Sequence, residues 1–121
     1  MDFLVLLIRD GKAFGPHFFL QVKSTSTKAD VGDLSIAARF SADEVQRIAQ
    51  WKAPAYLAAV DGSNARREQV YIRGIDSDRL TGIATVPRSQ NLNDKAVRKA
   101  LYDEVVQYFA SRTHSFTSTL S

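Results

Sequence analysis

Residues 17–25 read His-Phe-Phe-Leu-Gln-Val-Lys-Ser-Thr, and the interpretation of the whole chain depends on this stretch. Its apolar run from Phe18 to Val22 is typical of a strand that is buried on both faces. Gln21 and Lys23 are two residues apart, so in a strand their side chains point to the same side. A polar group beside a buried face costs free energy unless it has a partner such as a carboxylate, a metal ion or a phosphate. The alternative is that Lys23 simply marks the point where the strand reaches solvent.

A second apolar run precedes this one at residues 2–9, which read Asp-Phe-Leu-Val-Leu-Leu-Ile-Arg. Residues 10–16 join the two runs and contain the turn dipeptides Asp-Gly and Gly-Pro, and so short a connection favours an antiparallel hairpin. A register that sets Asp2 opposite either Gln21 or Lys23 brings all three side chains together at one end of the hairpin. A slip by one residue turns Asp2 to the other face, and the sequence leaves the register open. The carboxylate and the amide oxygen together would form a site for a hard cation, and the ammonium group would add a positive charge beside it.

This constellation resembles the PD-(D/E)XK superfamily of restriction-endonuclease-like nucleases, in the variant where Gln replaces the second acid. More narrowly, the chain is similar to an uncharacterised bacterial and phage family within that superfamily. Its members have an Asp-bearing strand, a Gly-containing turn and a strand that ends Gln-Val-Lys-Ser/Gly-Thr/Ser, matched here by Asp2, Gly11 and residues 21–25. The similarity continues through most of residues 2–110, at Trp51, residues 53–57, Asp61, residues 70–72 and residues 86–92.

The resemblance implies a metal-dependent phosphodiester hydrolase that acts on DNA, in a defence or restriction setting. Asp2, the side-chain oxygen of Gln21 and the main-chain carbonyl of Val22 would hold Mg²⁺ or Mn²⁺. Lys23 would complete the catalytic set of Asp2, Gln21 and Lys23, by orienting the attacking water or stabilising negative charge on the phosphoryl oxygens. Because Gln is a neutral ligand, this site would bind Mg²⁺ more weakly than one with two carboxylates.

The N-terminal end departs from the family pattern. Such nucleases usually have a helix before the Asp-bearing strand, often with a Glu that assists the metal site, whereas this sequence begins Met1-Asp2. Either the sequence starts too far downstream, or the domain is shortened, or another chain fills the place of that helix. Asp2 would then lie near a fraying end. The alternative function is a catalytically inactive, shortened nuclease-fold domain that binds nucleic acid or acts as an assembly subunit. The scattered basic residues that would contact a phosphate backbone weakly are Lys28, Arg66, Arg67 and Arg88.

Composition sets outer limits on the function. A chain of 121 residues that is 45% apolar suits one domain with one core. No apolar run approaches the roughly 20 residues that span a membrane, so no membrane partner is expected. The absence of cysteine excludes zinc–thiolate and Cys-nucleophile chemistry and fits a cytoplasmic location. The net charge of +3 favours an anionic partner such as DNA only weakly.

The pattern of apolar residues predicts one α/β domain over residues 1–112, with a mixed sheet of about five strands and two helices. The resemblance implies that this core is restriction-endonuclease-like. A polar, flexible tail is predicted over residues 113–121.

The predicted helices have recognisable ends. Ser41 and Glu44 form a capping box for a helix that runs to about Trp51, with Trp51 on its inner stripe. Asn93 is predicted to cap a long last helix that runs to about Arg112.

Self-association is expected from the balance of helices and strands. Without the upstream helix, two helices remain to cover about five strands, several of which are apolar on both faces. A two-fold dimer is the commonest way to bury such a surface. The sequence therefore predicts a homodimer, with the N-terminal hairpin or the last helix near the contact.

Overall fold

The computed structural model describes residues 2–25, 35–61, 69–76, 81–111 and 116–120. Within these ranges the elements in chain order are β1 (Asp2–Arg9), β2 (Lys12–Thr25), β3 (Ser35–Phe40), α1 (Ala42–Ala49), β4 (Ala55–Asp61), β5 (Gln69–Gly74), β6 (Ile83–Pro87) and α2 (Lys95–Ala110). The α/β class is confirmed. The main sheet has four strands in the order β1-β2-β4-β5, and β3 and β6 form a separate two-stranded sheet.

The prediction of one sheet of about five strands is wrong in its division of the strands. β3 and β6 pair with each other in antiparallel fashion. Their apolar side chains, including Ile36 and Val86, are buried in a core cluster that also contains Leu57 of β4. This pair therefore packs as a second layer on the main sheet, because its apolar residues bury more surface face to face than they would at a sheet edge.

The β1–β2 hairpin turns at Asp10 and Gly11. Both residues have positive φ, 54° and 78°, as in a two-residue type I′ turn whose twist matches that of the strands. Arg9 pairs with Lys12 directly across the turn. The prediction that residues 10–16 form the connection is therefore wrong, since β2 already begins at Lys12. Residues 14–16 of β2 instead bulge opposite the single Leu7.

The main sheet is mixed. β2 runs parallel to β4, and β4 runs antiparallel to β5. Parallel neighbours need a crossover connection, and β3 and α1 lie within it. Six of the seven residues of β4 are buried, as expected for a strand between two neighbours in the sheet.

The two faces of the main sheet border two different cores. On the face that we call face A, Phe19, Leu57 and Ala59 pack against α1, β3 and β6. On the opposite face, face B, Phe18 and Tyr56 pack against α2. Because side chains alternate along a strand, residue parity in β2 and β4 decides which core each side chain joins.

The ends of α1 agree with the sequence at one terminus and differ at the other. The capping box is present, with Ser41 Oγ accepting the Glu44 N–H at 3.2 Å and Glu44 Oε1 accepting the Ser41 N–H at 3.4 Å. Trp51 lies beyond the helix end, is 43% exposed and packs edge-on against Phe19. Its prediction as an inner-stripe residue is wrong, because the helix ends at Ala49 and the chain turns away.

The N-cap of α2 is Asp94 and not the predicted Asn93. Asp94 Oδ1 accepts the Ala96 N–H at 2.9 Å, whereas the Asn93 N–H is used in a bond to Asn91 Oδ1. The apolar stripe of α2 packs on face B, with Val105 fully buried and Val97, Leu101 and Phe109 beside it. Among the described residues, neither helix has the length and apolar character that a membrane crossing requires.

Gly82, at the entry to β6, provides a test of the second layer. Its φ is 104°, and a Cβ there would lie 2.9 Å from the carbonyl oxygen of Phe40. We expect Gly82→Ala to lower the free energy of unfolding by about 2 kcal/mol, because backbone strain and the contact act together. Gly74→Ala is the matched control, since its Cβ would meet only a Tyr56 ring atom at 4.0 Å. Equal losses for the two variants in urea unfolding would contradict this assignment.

Tyr56 provides a second test, at the contact between β4 and α2. Its hydroxyl donates to the Glu104 carboxylate. Burial, followed by the hydrogen bond and the negative charge of Glu104, raises the pKa of Tyr56 well above its usual value. Above about pH 10 the unfolded chain therefore loses this proton while the folded chain keeps it.

Stability should therefore be full below about pH 10 and fall above it, with Tyr56 contributing up to about 1.4 kcal/mol per pH unit. Tyr56→Phe should make the decline shallower in urea unfolding measured between about pH 9 and about pH 11. Tyr102→Phe keeps Tyr56 and should retain the wild-type slope. Identical slopes of unfolding free energy against pH for the two variants would show that Tyr56 titrates alike in the folded and the unfolded chain.

Candidate functional site

The three motif residues share one end of the hairpin. Asp2 lies directly opposite Gln21. Lys23 is two residues further along β2, so its side chain leaves the strand on the same face as that of Gln21. The predicted antiparallel pairing and shared face are therefore confirmed. This is face A, because Phe19 of the same parity packs there.

The main-chain hydrogen bonds of β2 show how close Asp2, Gln21 and the Val22 carbonyl lie to one another. The Phe19 N–H donates to the Pro54 carbonyl at 2.9 Å, so the main chain of odd-numbered β2 residues faces β4 and that of even-numbered residues faces β1. Asp2 and Gln21 thus form a non-hydrogen-bonded pair, in which Cα atoms lie about 4.5 Å apart and side chains are closest. By the same alternation the Val22 carbonyl is directed to the β1 side, at the end of the hairpin where Asp2 lies.

Gln21 is an unusual residue for its position. It is 5% exposed and lies on the face of the sheet that otherwise packs Phe19 and Leu57 into the apolar core. A buried amide costs free energy that an apolar side chain of similar size would not. This is the physical reason to treat Gln21 as a functional residue.

Lys23 reaches from the sheet to the start of α1. Its Nζ lies 3.7 Å from Glu44 Oε2 and 5.6 Å from the centre of the Phe40 ring. The other carboxylate oxygen of Glu44 is held by the Ser41 hydroxyl at 3.2 Å. The side chains of Lys23 and Glu44 are 40% and 34% exposed, so the pair is worth less than about 1 kcal/mol. Either group can therefore exchange its partner for a ligand at little cost.

Glu44 is a site residue that the sequence analysis missed. The capping box fixed its position on the helix, but the contact with Lys23 depends on how α1 packs on face A. The approach of Glu44 to Lys23 is a long-range contact that leaves no local signature in the sequence.

A second polar cluster lies on face A at the same end of the sheet. Arg88 Nη1 is 3.4 Å from Asp61 Oδ2 and 3.2 Å from the Tyr71 hydroxyl. Lys23 is paired with Ala59 in the parallel register, and Asp61 is two residues further along β4. The clusters around Lys23 and Asp61 thus occupy neighbouring strand ends.

The predicted nucleic-acid contacts are only partly within the described residues. Arg88, one of the four, directs its guanidinium inward to Asp61 and keeps 24% of its side chain exposed. Its role toward phosphate stays a prediction. Lys28, Arg66 and Arg67 lie outside the described residues.

Open space adjoins the Lys23–Glu44 pair. A depression of about 460 Å³ is bordered by Glu44, by the adjoining end of β3 and by the start of β6, including Arg39, Ser41, Thr81 and Gly82. A second cavity, of about 320 Å³, lies at the opposite end of β4 between Tyr56, Glu104 and Tyr108. Only the first borders a residue that contacts the motif.

The donor set at the hairpin end consists of oxygens. Among the residues that the structure describes, no three His, Cys, Asp or Glu side chains form a metal cluster. The chain matches no protein-family model, no curated protein and no solved structure. The Asp2 carboxylate, the Gln21 amide oxygen and the Val22 carbonyl are ligands of the type that Mg²⁺ prefers.

The Asp61–Arg88 pair gives a test of the second cluster. Asp61 is 9% exposed, so we expect Arg88→Met to lower the free energy of unfolding by about 2 kcal/mol. Arg73→Met is the control, since Arg73 donates to the Thr85 carbonyl at an exposed position. Its free energy of unfolding should fall much less. The double variant with Asp61→Asn should recover part of the loss, and strict additivity in a double-mutant cycle would argue against a coupled pair.

Proposed function

We propose that the protein is a metal-dependent phosphodiester hydrolase that acts on DNA, with Asp2, Gln21 and Lys23 in its catalytic site. The observation that carries the proposal is the register of the hairpin, which sets Asp2 opposite Gln21 with Lys23 on the same face. The resemblance of the motif to Q-x-K nucleases supplies the reaction class and the defence or restriction setting.

The residues at the hairpin end fit a divalent cation. Asp2 would supply the charged ligand, and Gln21 and Val22 would supply neutral oxygens. When bound, Mg²⁺ or Mn²⁺ would polarise a phosphoryl oxygen and lower the pKa of a water ligand. With one carboxylate in this set, affinity for the ion would be weak.

Lys23 would act on the phosphate. Its ammonium is held on face A by Glu44 and the Phe40 ring, and these two partners border the open depression. A phosphate oxygen that enters there can replace Glu44 at little cost, because the existing pair is exposed. The ammonium would then stabilise the negative charge that develops on the phosphoryl oxygens. Glu44 would act as a positioning residue that holds Lys23 before substrate arrives.

The competing function is a domain that binds nucleic acid or assembles with other subunits without cleaving DNA. It uses the same fold and the same polar end of the sheet. The two functions differ in metal binding and in turnover, so both must be measured.

Loss of Lys23 is the direct test of the enzyme. Lys23→Ala should lower the rate of DNA cleavage in Mg²⁺ or Mn²⁺ by at least about 100-fold, because a charge-stabilising group is removed. The free energy of unfolding should change by less than about 1 kcal/mol, since the pair with Glu44 is exposed. Lys99→Ala is the matched control, because Lys99 is paired with Asp103 on α2. This variant should cleave DNA at the wild-type rate.

Metal titration separates the two functions. Calorimetry with Mn²⁺ should show weak binding to the wild type and a loss of binding in Asp2→Asn and Gln21→Leu, with Lys23→Ala retaining it. A wild-type protein that shifts DNA in a gel, binds no metal and leaves plasmid intact would establish the competing function. Cleavage by Lys23→Ala at the wild-type rate would refute the role given to Lys23.

A further inference from the structure

β1 is an edge strand with an unusual composition. It lies at one end of the four-stranded sheet, and residues 3–8 are all apolar. Its exposed large side chains, at 45–62%, are Phe3, Leu4, Leu6 and Ile8. Natural edge strands are usually protected by a charge, a proline or a bulge against pairing with another chain. Between Asp2 and Arg9 this strand has no such residue, and the extra residues of the hairpin bulge belong to β2.

The main chain of β1 is arranged for another strand. Phe3 is opposite Leu20, an even-numbered residue whose main chain faces β1, so the odd-numbered residues of β1 bond to β2. The even-numbered residues, including Leu4 and Leu6, therefore direct their N–H and C=O groups outward. Their side chains lie on face A, since Leu4 is opposite Phe19.

We propose that two copies of the chain pair through β1, antiparallel about a two-fold axis at Leu6, and form one continuous eight-stranded sheet. A two-fold axis normal to the sheet maps face A onto face A, so residues of equal parity must be paired. With Leu6 opposite the partner's Leu6, Leu4 lies opposite the partner's Ile8. The exposed apolar side chains of β1 on face A are then matched with apolar side chains, and each pair exchanges its main-chain hydrogen bonds, while Asp2 lies opposite the exposed turn residue Asp10 of the partner.

The side chains on face B also fit this register. On face B it sets Phe3 opposite the partner's Arg9, whose equivalent already lies 4.1 Å from the centre of the Phe14 ring and would gain a second aromatic face. The neighbouring register, centred on Val5, would place Asp2 opposite the partner's Ile8 and leave a carboxylate against an apolar side chain. A second copy suits this strand because its sequence complements itself, which a two-fold interface requires.

The size of the exposed apolar surface on β1 determines how tightly we expect the two copies to associate. Leu4, Leu6 and Ile8 form an apolar patch on face A on the order of a few hundred Å², which is smaller than the roughly 800 Å² per partner of a standard interface. Trp51 beside Phe19 extends the patch on face A. We therefore expect a dimer that dissociates on dilution, with a dissociation constant on the order of micromolar.

Light scattering across about 1 to 100 µM tests the interface, since this range brackets the expected constant. The wild type should shift from monomer to dimer mass, and Leu6→Lys should stay monomeric throughout. Leu120→Lys, the same change at a 91% exposed site outside the patch, should behave like wild type. A wild type that is monomeric at every concentration would overturn the proposal, as would a Leu6→Lys protein that dimerises normally.

Cross-linking tests the register and does not depend on the folding of Leu6→Lys. The chain has no cysteine, so a single introduced thiol is unique. At the axis the two Leu6 Cα atoms would lie about 5.5 Å apart, within disulfide range, and Leu6→Cys should oxidise to a covalent dimer. Leu4→Cys should not, because its two copies would be about 14 Å apart, but it should join Ile8→Cys in a mixed sample. A disulfide-linked dimer of Leu4→Cys alone would rule out this register. Failure of Leu6→Cys to form such a dimer would also rule it out. The outcome is independent of any nuclease activity.

Discussion

The register of β2 against its two neighbours is the constraint on which the rest of the structure depends. From Phe18 onward, its odd-numbered side chains lie on the face that packs against α1, and its even-numbered ones lie on the face that packs against α2. A shift by one residue would exchange the two sets, moving Gln21 and Lys23 under α2 and Leu20 under α1. The antiparallel pairing with β1 from Asp2 to Leu6 holds this register on one side, and the parallel pairing with β4 holds it on the other.

The polar groups of face A collect where the parallel strands end. Gln21, Lys23 and Asp61 lie at the carboxyl ends of β2 and β4, and Glu44 and Arg88 approach them from the second layer. In open α/β sheets ligands bind outside the carboxyl ends of strands, where side chains can leave the core without crossing it. The other end of these strands packs Ala55 and Phe19 with Trp51. Apolar packing and polar side chains are thus separated along the length of the same strands.

Local sequence signals predicted the elements well and their assembly less well. The apolar runs located β1 and β4, and the capping box located the start of α1, because these features depend on neighbouring residues. The pairing of β3 with β6 and the contact of Glu44 with Lys23 depend on long-range packing, for which the sequence has no local signal. Asn93 and Asp94 are equally good N-caps by residue type, and only the bond from Asn93 to Asn91 decides between them.

The bulge in β2 determines where the chain can accept inserted residues. Residues 14–16 already lie opposite the single Leu7, so the hairpin absorbs extra residues there, ahead of the segment that carries the motif. An insertion in the Asp10–Gly11 turn or in this bulge leaves the pairing of Asp2 with Gln21 unchanged. An insertion between His17 and Gln21 would rotate every later side chain of β2 to the wrong core. Variation in length among related chains is therefore compatible with the fold at the first two places and incompatible with it at the third.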